Sequence, residues 1–326
     1  MNWKNILTTL GPVLALVAVV ALFGLADGRH SFLTWRNLQI VSNHSTIVGV
    51  AALGMTIIII GGGIDLSAGA AIALSATVMA YCLHAGMPPL PAMLVGILTG
   101  GMTGLVNGVL ISSLRVVPFI ITLGTMTIYQ GLARILAADT PIRVHGKVPE
   151  WILALARPFP DRTWMLVSPS VWVMLVLAVL VAVLLGYSVF GRHVFAIGSN
   201  EATARLCGIG VARTRWLMYS LAGLFLGVAG LIQLAVLTEG DPTGGVGKEL
   251  RIIAAVVIGG GSLSGGRGSV LGTLCGAALM AVIDNGCTIL RIPDPFQDLI
   301  VGGIIILAVT LDQLRQIVLP RRSTSG

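Results

Sequence analysis

Residues 252–290 read IIAAVVIGGGSLSGGRGSVLGTLCGAALMAVIDNGCTIL, an apolar run cut by glycines and then resumed. The first part, Ile252–Gly261, rises only ~15 Å as a helix, about half of a ~30 Å hydrocarbon core. It cannot span a membrane alone. The break GSLSGGRGS follows, and a full apolar helix begins at Val270. Irregular backbone at membrane depth is tolerated only where protein or a water-filled cavity surrounds it. The stretch therefore predicts a helical membrane protein containing short, broken helices.

A second break lies upstream. IIGGGIDLSAG at Ile59–Gly69 resembles VIGGGSLSGG at Val257–Gly266. Paired, glycine-interrupted apolar segments in two halves are the usual trace of a transporter's internal repeat. The competing explanation is close packing of glycine-rich helices, and the chain holds 42 glycines. A pairing of Asn107–Gly108 with Asn285–Gly286 does not share the offset of the two breaks.

Composition agrees with the membrane reading. The 326 residues are 56% hydrophobic and 10% charged, with a mean hydropathy of +0.95. Soluble domains carry roughly 25% charged residues, so this chain cannot coat a globule in water. The expected fold is all-α, a polytopic bundle forming one transmembrane domain over 1–326. Ten segments are expected: Ile6–Ala26, His44–Ile60, Leu66–His84, Leu90–Leu114, Phe119–Ala137, Ser170–Tyr187, Trp216–Leu237, Ile252–Gly261, Val270–Leu290 and Leu299–Leu314. The N-terminal apolar run is longer than most signal-peptide cores and reads as an uncleaved first span.

The net charge of +7 does not indicate nucleic acid, because the basic residues are scattered among loops and span ends. With the N-terminus inside, Lys4, Arg115, Arg192, Arg205, Arg213, Arg215, Arg267, Arg315, Arg321 and Arg322 share the cytoplasmic side. Raw counts on the two sides tie. Local density around 190–215 and after the last span tips both termini inside. The longest polar interval, 138–169, then lies outside. Cys82, Cys207, Cys275 and Cys287 have no metal-like or redox spacing and read as structural thiols.

Between two spans, Phe190–Arg215 reads FGRHVFAIGSNEATARLCGIGVARTR, polar and helix-forming at once. Ser199 and Asn200 can each cap a helix start, Glu201 suits its positive end, and Gly208 can close its C-terminus. A surface helix of two to three turns follows, either an ordinary loop or a docking element.

Catalytic readings are weak. Gly259–Ser269 lacks the lysine of a Walker A loop, and no such loop occurs elsewhere. No GxSG or GxSxG surrounds Ser262 or Ser264, and the five histidines lie in loops or at span ends. Asp65 and Asp284 are the acids nearest to apolar interiors, and such carboxylates are site candidates by default. They can serve ion coupling in a secondary transporter, or simply helix ends, with Asp65 joined by Ser67 and Asp284 by Asn285. Thr122, Thr125, Thr127 and Gln130 place polar groups along the helix begun by Pro118. These line a solute path or bond to neighbouring backbone. Trp35, Trp151 and Trp164 suit membrane interfaces.

Taken in order, GGGIDLSAG, PFIITLGT, VFAIGSNEATARLCGI, KELRIIAAVVIGGGSLSGGRGSVLGT and the late DNG resemble the permease subunits of bacterial ABC importers for ribose, xylose, arabinose and galactose. The resemblance runs from about Asn37 to Asp312, with GGGSL standing where sugar members commonly carry GGTSL. It implies an inner-membrane permease without covalent chemistry of its own, pairing with a second copy or a sibling. Partners would be a cytoplasmic ABC ATPase, which uses ATP and magnesium, and an extracytoplasmic sugar-binding protein; this chain would bind no cofactor. Ser199–Gly208 would then be the helix gripped by the ATPase. Glu201 and Arg205 would pair or meet partner charges, and Ala202, Ala204 and Leu206 would fill a shallow groove. Few charged residues are expected along the sugar path. The alternatives are a permease for a nucleoside, a branched-chain amino acid or a signalling furanose, and, in a different class, an ion-coupled secondary transporter or an intramembrane hydrolase.

Overall fold

In a computed structural model the chain is helical, and the structure describes residues 3–28, 31–159, 165–293, 295–297, 299–304, 306–307 and 310. The helices are α1 (Trp3–Ala26), α2 (Trp35–Ile60), α3 (Ala68–His84), α4 (Pro89–Leu114), α5 (Pro118–Ala137), α6 (Glu150–Ala156), α7 (Pro169–Tyr187), α8 (Val189–Ser199), α9 (Glu201–Leu206), α10 (Val211–Leu237), α11 (Lys248–Ile258) and α12 (Val270–Ile289). Among the described residues six are long and apolar enough to cross a membrane: α2, α4, α5, α7, α10 and α12. The apolar parts of α1 and α3 are shorter. The expected last span, Leu299–Leu314, lies partly outside the described residues, as do Trp164, Asp312, Arg315, Arg321 and Arg322.

Local chemistry explains the boundaries. Proline stands at the first turn of α4, α5 and α7, where its missing N–H costs nothing. Thr34 caps α2 through the Asn37 N–H at 3.3 Å. That cap lets α2 start at Trp35, well before His44, because its polar first turns find partners in the bundle. Residues 49–60 are buried on every side, so α2 is the central helix, flanked by α7, α10, α11 and α12. The close contact of α4 with α10 rests on Gly100, Gly104 and Gly108. A Cβ at any of them would strike the α10 backbone, at Gly223, Tyr219 and Trp216 respectively.

The two glycine breaks close their helices in the same way. At the end of α2, Gly62 donates to Ile59 at 3.0 Å and Gly63 to Ile58 at 2.9 Å. At the end of α11, Gly260 donates to Val257 and Gly261 to Val256, both at 2.9 Å. Gly62 and Gly260 hold the left-handed conformation, with φ of 79° and 90°. This is a Schellman closure, which satisfies the last carbonyls of a helix that stops inside the bundle.

Residues 138–159 are folded onto the opposite end of the bundle. Strand β1 (Ile142–Arg143) pairs antiparallel with β2 (Glu239–Gly240) just after α10. Val144, Val148 and Ile152 pack with Met79, Leu83 and Leu234 in a separate small core.

Candidate functional site

Three polar regions stand out against the apolar bundle. The first is a seam at the α2–α3 junction. Asp65 is 1% exposed. Its Oδ1 accepts from the Ser67 N–H at 2.9 Å and the Ser67 hydroxyl at 2.6 Å, with the Asn107 amide at 3.4 Å. Asn107 also donates to Ser67 Oγ at 2.8 Å, and the Tyr129 hydroxyl reaches Asn107 Oδ1 at 3.1 Å. Thr122 accepts from the Leu66 N–H at 3.1 Å, and Thr125 donates to the Thr122 carbonyl at 3.3 Å. Asp65, Ser67 and Thr122 thus stitch α5 and α4 to the break, whereas Thr125 bonds only within α5. Gln130 instead borders a cavity of about 70 Å³ with Met126 and Glu249.

The second region is a cavity of about 640 Å³, in the half of the bundle away from α9. This lies within the ~300–1,000 Å³ range of ligand pockets. Its polar wall comprises Asn43 and His44 from α2, Lys248 and Arg251 from α11, and Asp284 from α12. Arg251 pairs with Asp284, each side chain about 30% exposed, and Lys248 bonds to Gln233 Oε1. Asp284 lies within α12 rather than at its end, so it holds α11 and α12 together across the cavity wall. Its neighbour Asn285 points elsewhere and exchanges two amide bonds with Asn37, at 2.9 and 3.0 Å. Three of the residues lining the cavity, Lys248, Arg251 and Asp284, are charged types.

The third region is the polar segment after α7. It forms two helices rather than one. Ser199 ends α8, and Asn200 alone caps α9, accepting from the Thr203 N–H at 3.0 Å. Asn200 leaves helical geometry to make this cap, and α9 is therefore shorter than expected. Gly208, at φ 80°, closes α9: it donates to Arg205 at 3.0 Å and Ile209 to Ala204 at 3.1 Å.

Glu201 is held from two sides. Arg205 of α9 reaches it at 2.7 Å, and Arg215 of α10 grips both oxygens. Partial burial pushes its carboxyl up, but the two arginines outweigh this and hold it below the ordinary value. Ala204 is buried against Ile197 and Val211, so it anchors α9 and cannot fill a partner's groove. Ala202 is exposed, and Leu206 is 89% exposed.

Behind α9 three backbones meet. A Cβ on Gly198, next to the end of α8, would strike the Ile60 carbonyl of α2 and the Gly266 N–H of the second break. Gly266 itself donates to Ile60 at 2.8 Å. The two glycine breaks and the stem of α9 therefore touch with no side chain between them.

The family described as "Branched-chain amino acid transport system / permease component" matches residues 37–309. The chain belongs to this permease family. It is 38% identical to the ribose import permease protein RbsC of Bacillus subtilis over 318 residues, covering 96% of this chain and 95% of that one. The RbsC of Escherichia coli K12 is 33% identical over the same coverage. The L-arabinose ABC transporter permease protein AraH of Azospirillum brasilense is 35% identical over 87% of this chain and 82% of its own. No solved structure matches the chain.

For this permease, sequence reasoning located Asp284 but missed Asn43, Lys248 and Arg251 beside it. The legible signal was KELR at the head of a segment too short to span, since charges there need a wet wall. Among the described residues no three His, Cys, Asp or Glu side chains converge as metal ligands, and the four cysteines are unpaired.

Proposed function

We propose that this chain is the membrane permease of an ATP-driven importer that moves a monosaccharide, a pentose or hexose, across the bacterial inner membrane by alternating access. The observation that carries this reading is its match, along nearly its whole length, to permeases named for ribose and arabinose. The reading has α9, with Asn200, Glu201, Ala202, Arg205, Leu206 and Gly208, docking a separate ATPase that uses ATP and magnesium. Ser199 joins it to α8. The exposed Leu206, between caps that fix the helix rigidly, suits a groove in such a partner.

The 640 Å³ cavity is the proposed outer part of the sugar path, receiving cargo from an extracytoplasmic binding protein. Sugars offer many hydroxyls, and Asn43, Lys248, Arg251 and Asp284 present both donors and acceptors. A second permease copy or a sibling completes the path. The basic end of the bundle around α9 is assigned to the cytoplasm, with both termini there, and residues 138–169 outside. Ten membrane segments and an internal repeat complete the proposal. The equal Schellman closures of α2 and α11, at a constant offset between Gly62 and Gly260 and between Gly63 and Gly261, support the repeat.

The test is uptake of radiolabelled ribose and arabinose into proteoliposomes holding the permease, its ATPase and its binding protein. Uptake requiring ATP and all three components is expected. Uptake by this chain alone, driven by a proton or sodium gradient, would overturn the reading.

A further inference from the structure

A groove of about 940 Å³ opens between the end of α4 and the start of α10, beside α9. Arg115, Arg205 and Arg213 line it. Arg205 already shares Glu201, whereas among the described residues neither Arg115 nor Arg213 makes an ion pair. The groove therefore carries two cations in excess. The start of α10 also borders it, with no side-chain cap and no acid in its first turn, and adds to the positive field.

The rest of the wall is mainly apolar, with Ser112 and Ser220 its other polar side chains. Trp216 and Leu217 line it and are 39% and 47% exposed, and Leu105 lines it from α4. From Leu105 an apolar stripe continues along α4 through the exposed Met102, Leu98 and Leu94, three or four residues apart, toward the opposite end of the helix. Cations at a span end with an aromatic at the same level and a greasy stripe beyond match one ligand shape. That shape is an anionic head on a hydrocarbon tail.

We propose that this groove binds an anionic phospholipid, its phosphate between Arg115 and Arg213 and an acyl chain along Leu105, Met102 and Leu98. A free phosphate would use the same cations but leave the stripe bare. An acidic segment of a partner protein would use the cations and not the stripe that leads away from α9.

The experiment is native mass spectrometry of the full chain in detergent, titrated with phosphatidylglycerol or phosphatidylcholine. Phosphatidylglycerol should be retained at least tenfold better. Arg115→Gln with Arg213→Gln should cut its retention by about fivefold for each arginine. Arg192→Gln, a charge at the same end but outside the groove, should leave it unchanged. The Arg115→Lys, Arg213→Lys chain should keep the preference for phosphatidylglycerol, which covers the case where the glutamine pair fails to fold.

Equal retention of the two lipids by the wild-type chain would overturn the proposal. So would full displacement of phosphatidylglycerol by millimolar inorganic phosphate, which marks a free-anion site. A glutamine pair that keeps its lipid but loses co-purification of the ATPase marks a protein contact and overturns it as well.

Discussion

Asp65 and Asp284 both lie among the apolar helices, and their surroundings differ in one respect that matters. Asp65 is sealed: its oxygen meets the Ser67 N–H, the Ser67 hydroxyl and the Asn107 amide, all of them buried. Asp284 faces Arg251 on one side and a 640 Å³ cavity on the other. On the proposed reading, an acid in a membrane segment serves as a site only where solvent or solute can reach it. Asp65, with three donors converging on its Oδ1, is on the same reading a structural joint.

The sharpest way to break this contrast is Asp65→Ala. It strands buried donors of Ser67 and Asn107, at ~1–3 kcal/mol each, so a loss of order 3 kcal/mol is expected in thermal unfolding in detergent. Uptake per folded molecule should stay within about twofold under the same principle of a purely structural role. If Asp65→Asn keeps its melting temperature yet abolishes uptake, Asp65 belongs to the mechanism and the contrast fails.

Gly198→Ala comes next. Its new methyl meets only backbone, so about 2 kcal/mol should be lost, near the usual cost of overpacking. An unchanged melting temperature would show that the three backbones are looser than described.

Asp284→Asn should cost about 1 kcal/mol of stability, between the values for exposed and buried pairs. Its main effect should fall on transport, with the half-saturating sugar concentration raised roughly tenfold by one lost charged contact. A purely structural role would lower the yield and leave that concentration alone.

Glu201→Gln should have the smallest effect on stability, a few tenths of a kcal/mol, because the pair is partly exposed and screened. Its signature is in pH. The carboxyl is held below its ordinary value, so the ion pairs contribute fully above that value and are lost as pH falls through the lowered one. Sugar moved per ATP should therefore fall in the wild-type chain only on acidification below the ordinary glutamate range, and be flat in the variant. Equal pH profiles would remove Glu201 from the link between α9 and α10.

Much of the architecture is readable in the residues themselves. Pro89, Pro118 and Pro169 set helix starts, and the two triple-glycine breaks predict helices that stop inside the bundle. Asn200 and Gly208 announce the ends of α9. The start of α2 was not readable, because Arg36, Asn37, Gln39 and Asn43 look like loop residues until their partners are seen. Asn37 pairs with Asn285, and Asn43 with Ser168 and Ser170, all more than a hundred residues away. The cavity was hidden for the same reason: Asn43, Lys248, Arg251 and Asp284 come from three helices, and no spacing in one segment encodes their meeting. The burial of Ala204 was lost because a six-residue helix is too short to show which face is covered.

The junction of Ile60, Gly198 and Gly266 has a consequence for how this chain tolerates change. A clash between two side chains can be relieved by shrinking the other one. At this junction the other party is a carbonyl or an N–H, which no substitution alters. A lesion at Gly198 therefore has no second-site suppressor at its point of contact, and a selection for revertants of Gly198→Ala should return glycine itself or changes far from the junction.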